Sequence, residues 1–232
     1  MTFPTMAETS GSLGSSASQS VPLPACSVGD LLIVYANVAG DAPDQTWTFD
    51  SSTSKFTIVT TGKQVFDSFW SGYRIVQTGD SVVGATGTLT VGFGGGSYPL
   101  QYIVHRFTSW HGTTPPEGAA VSAAGNNYCN PPAITPSWGA ADTSWFAVYG
   151  RWNRFITGNP SGYTTTSEPA NQGLISTRKD LNAASEDPGN FTTDAGTYGF
   201  AVTMAVRPFA AASTIKGMPI YRRLLIARRR VL

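Results

Sequence analysis

The sequence predicts an all-β protein: an antiparallel β-sandwich, jelly-roll-like, followed by a basic C-terminal arm. Three observations point there. The chain has 232 residues with 25 Gly and 15 Pro, a punctuation that suits many strands joined by turns. Its apolar runs are short and rich in β-branched residues, with no convincing helical period before the C-terminal segment. Hydrophobic residues at 41% and aromatics at 12% suffice for a large core, whereas charged residues, at 12%, are about half as frequent as usual.

The elements follow in order. Residues 9–20 are rich in Ser and Gly, so 1–20 is expected to be a flexible or extended lead-in and 21–212 the sandwich domain. DLLIVYANV, residues 30–38, is a continuous apolar run of strand length, as a buried strand requires. Strands are expected at 56–65 and 69–78. In 87–93, Leu89, Val91 and Phe93 alternate with Thr88, Thr90 and Gly92. After the glycines at 94–96, residues 98–110 form the longest strand. Ile103, His105 and Phe107 share one face of it, and Tyr102, Val104 and Arg106 the other. The stretch 112–142 holds Pro115, Pro116, Pro131, Pro132 and Pro136 and is expected to be mostly loop. Strands resume at 143–150, 174–182 and 197–208, for a total of about eight or nine. Leu31, Ile33, Trp145, Ala147, Val202 and Met204 are the expected core.

Charge divides the chain. Its 15 Lys+Arg and 14 Asp+Glu nearly cancel, yet Lys216, Arg222, Arg223, Arg228, Arg229 and Arg230 all lie in an acid-free stretch, 214–232. The body is therefore net acidic. As a helix, the segment 213–232 gathers Ile220, Leu224 and Ala227 towards one side. As an extended arm, it lays alternating apolar and basic groups across a partner. Either form makes Ile220, Arg222, Arg223, Leu224, Leu225, Arg228, Arg229 and Arg230 candidate docking residues. Nucleic-acid and membrane-surface binding rank below protein docking.

Little in the sequence suggests chemistry. It lacks HExxH, a Gly-x-Ser-x-Gly elbow and a phosphate loop. His105 and His111 read as structural. Glu117, Glu168, Glu186 and Asp187 are glycosidase candidates only as acids in loops. Asp41 and Asp44 read as a turn before a calcium site. Cys26 and Cys129 read as buried thiols, with a disulfide as the alternative. No cofactor, metal or catalytic residue is expected. Trp110, Tyr128, Trp152 and Tyr163 lie in or beside expected loops, where aromatic rings can stack on sugars. No apolar run reaches the length of a membrane helix, and the N-terminus lacks a basic start followed by an apolar run, so no secretory leader is expected.

Four segments carry a resemblance. VGDLLIVYANVAGD (28–41), PPAITPSWGAADTSWFAVYG (131–150), RKDLNAASEDPGNFT (178–192) and AVTMAVRP (201–208) resemble, in order, parts of a domain found in tailed-bacteriophage virion proteins of decoration or fibre type. The likeness runs from about residue 20 to 208 and leaves the basic segment outside it. It implies a non-enzymatic virion component, assembled in the host cytoplasm and contacting capsid or tail subunits, with homo-oligomers expected. Capsid decoration or a head fibre is the first expectation and a tail or baseplate accessory the second. A module that recognises a host surface glycan is the alternative from another class.

Overall fold

The computed structural model describes residues 2–39, 47–51, 54–64, 67–80, 88–93, 97–151, 155–169 and 173–209. Among them are no helices and fifteen strands: β1 (Met6–Ser16), β2 (Ser18–Pro22), β3 (Leu31–Ala39), β4 (Trp47–Ser51), β5 (Ser54–Lys55), β6 (Thr57–Gln64), β7 (Asp67–Ile75), β8 (Thr88–Phe93), β9 (Tyr98–Phe107), β10 (Glu117–Cys129), β11 (Ala141–Gly150), β12 (Ile156–Gly158), β13 (Thr164–Ser167), β14 (Leu174–Ala183) and β15 (Phe191–Val206). The expected antiparallel sandwich is present. One sheet has the order β1-β9-β3-β7-β6; the other has β10-β15-β11-β14-β13, with β12 also paired to β15. A small third sheet runs β2-β8-β4-β5. Successive strands fill one main sheet before the other, residues 6–107 building the first and 117–206 the second.

Both main sheets are covered on both faces, which explains their apolar runs. Leu31, Ile33, Tyr35, Ile103 and Phe107 of the first sheet meet Phe146, Val148, Phe200, Val202 and Met204 of the second. On the first sheet's other face, Leu32, Val34, Ala36, Trp70 and Val104 gather with Val21 of the third sheet and with Leu23, Cys26 and Phe56. On the second sheet's other face, Trp145, Ala147, Tyr149 and Ala201 lie beneath Cys129, Tyr163 and Phe191. A strand with one wet face alternates; a strand with two dry faces reads as an unbroken run. All six expected core residues are fully buried. Each large side chain so buried contributes roughly 1.5–3 kcal/mol relative to exposure.

The first twenty residues are extended and paired: β1 joins the first sheet through β9 and β2 the third through β8. Their Ser/Gly content fits close packing: a Cβ on Gly11 would stand 2.7 Å from the Tyr102 hydroxyl. The stretch 112–142 is loop over 112–116 and 130–140, but between them runs a strand the sequence did not announce, β10 at Glu117–Cys129. Its prolines all fall outside that strand, so the ladder to β15 keeps its donors. A turn forms at Ser137–Gly139. Gly139 has φ 68°, its N–H donates to Pro136 O at 3.2 Å, and the Trp138 indole donates to Thr143 Oγ1 at 3.1 Å.

Candidate docking surface

Ladder registers define two ends of the sandwich. Leu31, Ile75 and Phe107 lie together at one end, with Met6 beside Phe107. Val206 reaches the same end, since Pro208 bridges to Trp110 and the His111 N–H donates to Arg207 O at 3.1 Å. The described chain therefore leaves β15 there, and residues 210–232 follow from it. At the opposite end lie Val38, Asp67, Leu100, Gly150 and Leu174. The strands bordering positions 40–46, 65–66, 94–96, 152–154 and 170–172 terminate towards that second end.

The exit end is tied down by local hydrogen bonds. Trp110 is buried and its indole N–H donates to Gly29 O at 2.9 Å, while its backbone bridges to Pro208. His111 N–H donates to Arg207 O at 3.1 Å. His111 Nδ1 accepts from the Thr114 N–H at 3.1 Å, and Arg207 Nη1 donates to Thr114 Oγ1 at 3.1 Å. Burial and the neighbouring Arg207 charge both lower the His111 pKa, so an accepting Nδ1 is the consistent state. Asp30 accepts from Ser27 N–H and from Arg106 Nε, both at 2.7 Å. Arg74 forks onto Asp80 at 2.9 and 2.5 Å. Around this frame Val28 and Phe209 stand 55% and 57% exposed. The eight docking candidates, Ile220, Arg222, Arg223, Leu224, Leu225, Arg228, Arg229 and Arg230, lie outside the described residues, as do Asp41 and Asp44.

Trp110 and Tyr163 are buried, so their ring faces are already covered by protein. This corrects the expectation for both. Tyr128 belongs to β10, opposite Thr192, rather than to a loop. Trp152 lies outside the described residues. An aromatic that the sequence reading passed over, Phe155, is 54% exposed, next to the segment that follows Gly150.

Two of the four acids considered for hydrolysis, Glu186 and Glu117, are engaged structurally, while Glu168 and Asp187 are exposed. Glu186 is buried; its Oε1 accepts from Lys179 Nζ at 2.7 Å and from the Tyr163 hydroxyl at 3.3 Å. Its backbone exchanges hydrogen bonds with Ile134 at 3.0 and 3.1 Å. Burial, then the Glu186 charge, raises the Tyr163 pKa, which leaves the phenol a donor. Glu117 accepts from the Ser137 N–H at 3.0 Å and from its hydroxyl. His105 is fully buried among Tyr35, Phe107 and Phe146, with ring centroids at 5.5, 6.1 and 5.0 Å. Desolvation, helped by the Arg178 charge, pushes its pKa down to about 3, so it is neutral near pH 7. Cys26 and Cys129 are buried in different cores and form no disulfide; burial pushes the Cys129 thiol up to about 12. Among the described residues, no group of His, Cys, Asp and Glu is arranged to hold a metal ion, and no helix is long and apolar enough to cross a membrane.

No family model matches the chain, and neither the curated proteins nor the solved structures compared with it contain a match.

Proposed function

We propose that the protein is a structural component of a tailed-bacteriophage virion, with its β domain displayed outward and its basic C-terminal segment docked to another virion protein. A capsid decoration or head-fibre role is the first assignment, and a tail or baseplate accessory the second. The observation that carries the reading is the separation of charge along the chain. Six cations and no acid lie in 214–232, whereas the remainder holds 14 acids against nine cations. Four of those nine, Arg74, Arg106, Arg178 and Lys179, are bound to acids of the body itself. The terminal cations thus belong to a segment that follows one end of a well-cored body, and an outside surface can satisfy them. The four-part resemblance to virion domains supplies the kind of partner.

Truncation after Ala212 tests the reading. All three cores draw on residues no later than Val206, so the shortened protein is expected to stay folded. It is expected to be lost from particles. Normal occupancy of the truncated protein would refute the anchor and move the docking surface onto the body. The glycan-recognition alternative keeps one observation, the exposed Phe155 at the end opposite the exit. A glycan array probed with wild type and Phe155→Ser decides it, with binding that disappears in the variant as the supporting result.

A further inference from the structure

We propose that β1 is a self-association edge: two copies of this chain pair their β1 strands antiparallel about a two-fold axis at Ser10, joining their first sheets into one. The argument starts from the edges of the two main sheets, which are β1, β6, β10 and β13. Edge strands present unpaired N–H and C=O groups and are normally shortened, charged, bulged or covered. β6 and β10 lie alongside each other and close one side of the sandwich. β13 has only four residues. β1 has eleven, and β9 is its one ladder partner among the described residues. Its pairing runs without interruption from Met6 opposite Phe107 to Leu13 opposite Leu100, before a shift near Ser16. It has no Pro, Lys or Arg, and Glu8 is its single charge.

The occupant follows from the composition of β1. Directly paired residues in an antiparallel ladder share a face, so a two-fold axis must join even positions to even and odd to odd. Centring on Ser10 sets Ser10 opposite Ser10, Thr9 opposite Gly11, Glu8 opposite Ser12 and Ala7 opposite Leu13 of the second copy. No like charges meet, and small side chains let the two backbones approach. The basic segment 214–232 is the rival occupant, but its six cations find only Glu8 along this strand. The proposal concerns the isolated chain and does not rest on the virion reading.

Sedimentation of the full-length protein at low and high salt tests it, with hydrogen exchange at two protein concentrations as the second readout. A dimer insensitive to salt is expected, with protection of β1 amides that rises with concentration. Ser10→Lys sets two ammonium groups opposite each other and is expected to give monomers, while Ser10→Thr stays dimeric. Ser10 is exposed and the lysine leaves every core untouched, so its melting temperature measured as a monomer is the check on folding. A wild-type monomer, a Ser10→Lys dimer or a dimer that salt dissociates would each overturn the proposal, the last in favour of the basic segment. If Ser10→Lys fails to fold, β1 exchange in the wild type decides: rising protection supports the pairing, and unchanged protection defeats it.

Discussion

The two ends of the sandwich are built differently. At the exit end, Trp110, Asp30, Arg106, Arg74, Asp80, His111 and Arg207 tie three loops and the last strand together through side-chain hydrogen bonds. At the opposite end, the inner face of the first sheet carries Asn37 and Gln101, adjacent in the β3–β9 register, both fully buried and their side chains without hydrogen-bond partners among the described residues. Buried amides left unpaired cost free energy, whereas the paired groups of the exit end fix its geometry. Rigidity is therefore concentrated at the end where the described chain leaves β15, and less so at the opposite end.

Substitutions that break the comparison rank by size. Trp110→Ala removes a core side chain and the hydrogen bond to Gly29 together, and is expected to cost about 3–5 kcal/mol in urea unfolding. A loss under 1 kcal/mol would show that the exit end is not the rigid one. Asp30→Ala strands the Arg106 guanidinium and the Ser27 N–H, for about 1–3 kcal/mol by the same measurement. The double change Asn37→Leu and Gln101→Leu sharpens the contrast from the other side. Removing both amides is expected to be neutral or stabilising, within about 1 kcal/mol, because no protein partner is left behind. Phe155→Ser is the smallest, expected within about 0.5 kcal/mol of wild type.

His105 adds a pH test between the two ends. Its folded pKa, about 3, lies below the ordinary 6.5, so the unfolded chain takes up the proton first. Stability is therefore whole above about pH 6.5 and falls as the pH drops towards 3. Glu8, 3.8 Å from the ring, has its pKa raised by burial and works in the opposite sense, since the folded state holds its proton more readily. Melting curves from pH 7 to 4 are expected to show a net acid loss that His105→Phe reduces. An unchanged acid limb in that variant would mean that other groups dominate.

Strands buried on both faces were legible in the sequence, and strands at the margins were not. DLLIVYANV announces β3, and TSWFAVYG announces β11, because two dry faces leave no room for polar alternation. β10, with GAAVSAAGNNY, and β1, with ETSGSLGSS, contain few β-branched residues and are recruited by ladders to β15 and β9. Aromatic exposure was read no better. Trp110 ends an expected strand and Tyr163 follows loop-like sequence, yet both join core clusters and are buried, while Phe155 is exposed. The docking candidates were legible only as a charge pattern, since six cations without acids need no fold to be recognised.

The central claim, docking through the segment beyond the rigid end, is tested most directly by particle incorporation of two full-length variants. One carries Leu224→Ser with Leu225→Ser; the other carries Phe155→Ser at the opposite end. Exposed ion pairs contribute only about 0–1 kcal/mol each, so apolar contacts are expected to carry most of the affinity. The leucine variant should be depleted from purified particles at least several-fold while remaining folded, and the Phe155 variant should be present at wild-type occupancy. Equal occupancy of the two would contradict the account.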